Sequence, residues 1–184
     1  MSRAANSSPR RATAWGAAVG LLARRDLSEG EVRMKLLARE FGEPEVEETI
    51  SRLRERRYLD DRSLAEAVAR TRARTRHQGP LKVRAHLRRR LIPDALALEA
   101  IRAEFPEGAE AQRAVIALRR LQPVPAASRG GGLDGAILPA ERRKEAGRLF
   151  RRLVARGYSG EAARHAVLSA ERPLEQERHP ELGT

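Results

Sequence analysis

The chain has no cysteine among its 184 residues. It can therefore carry no disulfide framework, no thiolate metal site and no thiol nucleophile, as suits a reducing compartment. Lysine is nearly missing as well: Lys35, Lys82 and Lys144 are three of 37 basic residues, and the other 34 are arginine. Aromatic residues amount to 3 %. Most of them stand at core-like positions, which leaves no stacking platform for single-stranded nucleic acid. Long apolar runs are lacking too. The stretch from Ala12 to Ala23 is interrupted by Thr13 and ends in Arg24-Arg25-Asp26 without a small-x-small cleavage site. It falls well short of the ~20 apolar residues of a membrane span. Trp15, Ala18, Val19 and Leu22 recur in it at helical spacing, so it reads as a buried helix and not as a signal peptide. No Gly-x-x-x-x-Gly-Lys-Ser loop and no Gly-x-Ser-x-Gly is present. His77, His86, His165 and His179 make no His-x-x-x-His or His-Glu-x-x-His spacing. Asp60-Asp61 lies directly ahead of a helix, where aspartates act as caps. The expectation is a protein without catalytic activity, cofactor or metal.

What is present is charge on a foldable composition. Apolar residues make up 41 % and charged residues 34 %, with a net charge of +12. The chain should fold in water and be drawn to a polyanion or an acidic protein surface. A genome rich in G and C is one cause of the arginine preference, so the placement of the charge says more than its amount.

Start signals give helix after helix. Thr13 caps a first, Ser28-Glu29-Gly30-Glu31 is a capping box for a second, and Pro44 suits the first turn of a third. Asp60, Asp61 and Ser63 offer caps for a fourth, Gly79-Pro80 precedes a fifth and Pro93-Asp94 opens a sixth. A seventh runs near Ala109 to Leu121, and Pro139 and Ser159 start the eighth and ninth. Between the seventh and the eighth, 122–138 holds prolines and Gly130-Gly131-Gly132, the composition of a loop. Arg70, Arg72, Arg74 and Arg76 alternate with Thr71, Ala73 and Thr75 as a strand would. Helix is nevertheless preferred, because the intervening residues are too small and polar for a buried strand face.

The helices repeat. Val32, Leu36, Phe41, Val46 and Ile50 shifted by 51 fall on Val83, Leu87, Ile92, Ala97 and Ile101. Shifted by 117 they fall on Leu149, Leu153, Tyr158, Ala163 and Val167, the excess over two periods matching the Gly/Pro-rich loop. The fold class is thus all-α: three tandem three-helix repeats at 13–59, 60–108 and 109–170, between tails at 1–12 and 171–184. Stacked repeats of this kind form an elongated array, straight or curved, suited to a long partner such as a filament.

At this point the residues resemble a known family. Leu21 to Leu36, Val46 to Leu53 and Arg57-Tyr58-Leu59-Asp60-Asp61-Arg62-Ser63-Leu64-Ala65 are similar to the first half of the bacterial RecX regulators, the Tyr-Leu-Asp-Asp step most specifically. Gly79-Pro80-Leu81-Lys82-Val83-Arg84 with Leu87 resembles the family's second repeat, and Arg156-Gly157-Tyr158-Ser159 its third-repeat turn. Arg57 stands where a glycine before the tyrosine is usual, and Arg90-Leu91 where Lys-Gly is usual. The resemblance implies a cytoplasmic, monomeric, non-enzymatic protein that binds the RecA filament on DNA. It would restrain the ATPase, strand exchange and coprotease activities of RecA in DNA repair and the SOS response. A helical nucleic-acid-binding module independent of RecA, and a basic scaffold for an acidic protein, stay open beside it.

From the residues themselves, the best contact surface is the stretch holding Arg70, Arg72, Arg74, Arg76, Lys82, Arg84, Arg88, Arg89 and Arg90 with no acid among them. Nine like charges repel one another, a cost that a purely structural surface has no reason to bear. A second cluster, Arg142, Arg143, Lys144, Arg148, Arg151, Arg152 and Arg156, is diluted by Glu141 and Glu145. Glu43, Glu45, Glu47 and Glu48 form an acidic patch that a helix start would favour by its dipole alone.

Overall fold

The computed structural model describes residues 13–121 and 139–171. Among them are α1 (Ala14–Leu22), α2 (Glu29–Leu37), α3 (Glu43–Glu55), α4 (Asp61–Arg70), a π-helical turn (Thr71–Thr75), α5 (Pro80–Arg89), α6 (Asp94–Glu104), α7 (Ala109–Leu121), α8 (Pro139–Ala155) and α9 (Gly160–Glu171). No strand occurs among the described residues. The expected loop at 122–138, and the tails apart from Glu171, lie outside them.

The helix starts follow side-chain chemistry. Thr13 accepts from the Gly16 amide, and Ser28 and Glu31 form the reciprocal capping box. Pro44 sits in the first turn of α3. Asp60 takes the Ser63 amide at 2.9 Å. Asp61 does something else: its Oδ1 accepts from the Glu29 amide at 2.9 Å, so it caps α2, 32 residues away, and not its own helix. The alternating arginines are helical, and the chain there widens into the π turn, with the Arg76 amide donating to the Thr71 carbonyl at 3.2 Å. Ala69 and Ala73, four residues apart, are buried while Arg70, Arg74 and Arg76 stay at the surface. Small residues between solvated arginines imitate a strand's alternation without a pleat.

The repeat register holds in detail. Of the fifteen apolar positions related by shifts of 51 and 117, thirteen are buried, and Phe41 and Leu149 pack partly buried against the core clusters. Each second helix of a triple also ends in the same way. The amides of Phe41, Ile92 and Tyr158 donate back to the carbonyls of Leu36, Leu87 and Leu153. Just before them Glu40, Leu91 and Gly157 take positive φ of 63°, 54° and 87°. This is the left-handed helix ending of a Schellman motif. Arg57, at φ 59°, ends α3 likewise. Both departures from the family pattern, Arg57 and Leu91, therefore place a Cβ where only glycine escapes strain.

The described residues fall into two compact units. One runs up to Ala65 and takes in Leu87–Ala97; the other comprises Glu66–His86 and the residues from Leu98 onward. In the first, Ala14, Ala18, Val32, Leu36, Val46, Ile50 and Leu53 form the core, with Trp15, Leu22 and Phe41 against it. In the second, Ala114, Leu118, Leu153, Tyr158, Ala163 and Val167 do so. Val19 departs from the expected core stripe of α1 and is exposed, as is Tyr58.

Candidate partner-binding surface

The nine basic residues from Arg70 to Arg90 fall into two kinds. Several are engaged inside their own unit. Glu104, buried at the end of α6, receives Arg74 at 2.9 Å, Arg113 at 3.1 Å and Arg70 at 3.9 Å. Arg72, half-buried, lies 3.0 Å from His86 Nε2; since a guanidinium can only donate, Nε2 accepts and the ring proton sits on Nδ1. Lys82 Nζ donates to the Ala155 carbonyl at 3.0 Å. Arg90 is largely enclosed, its side chain 15 % exposed, and it reaches Glu31 Oε2 at 2.9 Å and the Asp26 carbonyl. Arg84, Arg88 and Arg89 are exposed along α5, and Arg76 is exposed after the π turn. Arg76, Arg88 and Arg89 have no acidic partner among the described residues.

The second cluster is placed differently. Arg143, Lys144, Arg148, Arg151 and Arg152 are all exposed, and at about 100° per residue they spread over roughly half of the α8 circumference. Ala146, Leu149, Phe150 and Leu153 hold the opposite half against the core. None of the five has an acidic partner among the described residues. Arg156 is half-buried and donates to the Arg76 carbonyl at 2.9 Å. The side chain of Arg142 lies outside the described residues. The α8 face is thus a coherent cationic surface, with Glu145 at its edge, and it is less engaged than the longer run of arginines before it.

Two buried acids, Glu31 and Glu104, each engage several arginines. Glu31 reads in the sequence as half of a capping box, and it does accept from the Ser28 amide at 3.1 Å. It also pairs with Arg25 at 2.9 Å and with Arg90, which comes from the next repeat. Burial acts to raise its carboxyl, but hydrogen bonds from Arg25, Arg90 and the Ser28 amide outweigh that and hold it below the usual glutamate range. The acidic patch on α3 is likewise occupied: Glu45 accepts from the buried Ala14 amide at 3.0 Å, and Glu47 takes Arg33 at 2.6 Å. His77 is pushed down by burial and by the positive charges of Arg120, Arg156 and Arg113.

Among the described residues, no three His, Asp or Glu side chains gather as a metal site, and no helix is long and apolar enough to cross a membrane.

The profile for the first three-helix domain of RecX matches residues 14–53, and that for the second matches residues 60–101. A regulatory protein RecX from Chromohalobacter salexigens is 32 % identical over 163 residues, 89 % of this chain and 96 % of that protein. One from Xanthomonas campestris is 35 % identical over 150 residues, 82 % of this chain and 83 % of that one. One from Thermus thermophilus is 44 % identical over 103 residues, 56 % of this chain and 67 % of the relative. The crystal structure of RecX from Lactobacillus salivarius superposes with a TM-score of 0.66 at 20 % identity, covering 85 % of this chain and 93 % of that one. At that identity the likeness speaks for the fold alone.

Proposed function

The chain belongs to the RecX family of regulatory proteins, and we propose that in the cytoplasm it binds the RecA filament on DNA and restrains its ATPase, strand-exchange and coprotease activities. The observation that carries this reading is the pair of exposed basic surfaces, on α8 and at the end of α5, whose Arg88, Arg89, Arg143, Lys144, Arg148, Arg151 and Arg152 have no acidic partner among the described residues. Long-range attraction of that sign steers a cationic protein onto a polyanionic filament, and reversing rim charges of this kind weakens association. Arg90 and Arg74 stand apart as positioning residues, since each is engaged with a buried acid and its loss would be felt in stability.

The test adds the protein to RecA preassembled on single-stranded DNA and follows DNA-dependent ATP hydrolysis. The parent should inhibit in a titratable way. Arg88→Glu with Arg89→Glu, and separately Lys144→Glu, Arg148→Glu, Arg151→Glu and Arg152→Glu together, should each weaken inhibition at least tenfold while circular dichroism stays that of the parent. An inert parent refutes the filament reading. Two folded variants that inhibit as the parent does refute the basic surfaces but leave the filament reading standing.

A further inference from the structure

We propose that α1 and the turn after α3 form a docking groove for an acidic peptide segment carrying one large apolar side chain. Val19, Leu22, Ala23, Asp26, Arg57 and Tyr58 surround a depression of about 400 Å³, in the size range of small-ligand pockets. Its apolar lining is left open to solvent: Val19, on the apolar stripe of α1, is 39 % exposed and Tyr58 59 % exposed. Tyr58 is nevertheless held in place. Its amide closes the α3 ending onto the Leu53 carbonyl at 2.8 Å, and its ring meets the edge of Trp15 at 6.3 Å between centroids, with an interplanar angle of 69°.

Charge decides the occupant. The guanidiniums of Arg52 and Arg56 lie over the Trp15 ring at 4.8 and 5.3 Å, and Arg57 lines the groove itself. Arg24 follows directly on Ala23, and neither Arg24 nor Arg57 has an acidic partner among the described residues. Arg52 has Glu48 at 3.9 Å. Against these stands Asp26, the one acid in the lining. A neutral or cationic segment gains nothing from such a rim, whereas acidic residues on both sides of an apolar anchor match rim and floor together. A nucleic acid matches only the rim: Val19, Leu22 and Ala23 offer no donor or acceptor to a base edge. The inference stands independently of the filament reading, because it concerns the first triple and not the surfaces on α5 and α8.

Trp15 is the single tryptophan and lies beside the groove, so its emission reports on it, with calorimetry as a second readout. The probe is a blocked octapeptide, a central Gly-Phe flanked on each side by three glutamates. It should bind saturably, at tens of micromolar at low salt. A control peptide with Gly-Gly in the centre should bind at least tenfold more weakly, as should the parent probe to Tyr58→Ala and to Arg57→Glu. Val19→Glu, an exposed change on α1, should have the same effect with an unaltered circular dichroism spectrum. Equal binding of the Gly-Gly peptide would mean that charge alone attracts the probe and would overturn the groove. So would the absence of saturable binding by both readouts, or tighter, Tyr58-dependent binding of an eight-nucleotide oligo-dT.

Discussion

Glu31 and Asp61 both serve the first turn of α2, and they carry opposite signs in the protein's response to pH. Glu31 lies below its ordinary range, so its stabilising contribution is complete above the unfolded-state pKa and is lost as pH falls through the folded value. Asp61 lies above its ordinary range, chiefly through burial, against the hydrogen bond from the Glu29 amide. Its charge is therefore a burden in the folded state at neutral pH, and protonation relieves it. Glu31→Gln should lose ~1.5–3 kcal/mol at pH 7, the worth of hydrogen bonds to a charged group, because Arg90 is left without its counter-ion. Asp61→Asn keeps an oxygen for the Glu29 amide and should be neutral or slightly stabilising. Urea unfolding at pH 7 and again near pH 3 checks both, and both differences from the parent should shrink at the acid end. The capping role of Ser28-Glu29-Gly30-Glu31 was readable because it is local. The ties of Glu31 to Arg90 and of Asp61 to Glu29 were not, since partners 59 and 32 residues apart leave no spacing to read.

Elements show the clearest agreement between sequence and structure, and the reason is periodicity. A shift of 51 or 117 preserves the core side chain, the helix ending and also a docking step. Ser28 Oγ donates to the Arg90 carbonyl in one unit, and in the other the Gly79 amide donates to the Arg156 carbonyl at 2.9 Å. Positions 28 and 79 correspond, as do 90 and 156. In each case the start of one repeat's second helix rests on the turn ending the second helix of the next. What composition concealed is the backbone at that turn. Glycine marks it at Gly157, but Glu40 and Leu91 hold the same left-handed conformation without a glycine to announce it. Gly157 is also hemmed in: a Cβ there would come within 2.4 Å of the Lys82 amide nitrogen. Gly157→Ala should therefore cost ~1–3 kcal/mol from overpacking alone, with the backbone strain added. At Glu40, which is exposed, Glu40→Gly should gain up to ~1 kcal/mol, the relieved strain less the extra entropy of glycine in the unfolded chain. Chemical denaturation of the two variants tests the repeat register directly. A Gly157→Ala variant as stable as the parent would refute the close packing at this turn. Val19 is exposed although it lies on the apolar stripe of α1, because such a stripe says which face a helix turns inward, not how far its neighbour covers it.

At the scale of the whole chain, the net charge of +12 was readable and its division was not, because the buried acids that engage Arg74 and Arg90 are distant in sequence. That division makes a prediction about binding to DNA without RecA. If Arg143, Lys144, Arg148, Arg151 and Arg152 each neutralise one phosphate of a single strand, log K should fall by ~0.7 for each of the five per unit of log salt. Affinity would then drop about a hundredfold between 50 and 200 mM salt by the same relation. Replacing Lys144, Arg148, Arg151 and Arg152 by glutamine should flatten the slope by about three while leaving the unfolding midpoint within reach of the parent's, since exposed substitutions change stability by about half a kcal/mol or less each. Arg90→Gln should do the reverse. Its guanidinium, 15 % exposed and held by Glu31, releases no counter-ions on binding, so the salt slope should stay as it was while stability falls by ~1.5–3 kcal/mol. Fluorescence anisotropy of a labelled oligonucleotide across a salt series, beside urea unfolding of the same three proteins, separates the two kinds of arginine. An Arg90→Gln protein of parental stability and reduced slope would place Arg90 on the contact surface and reverse this division.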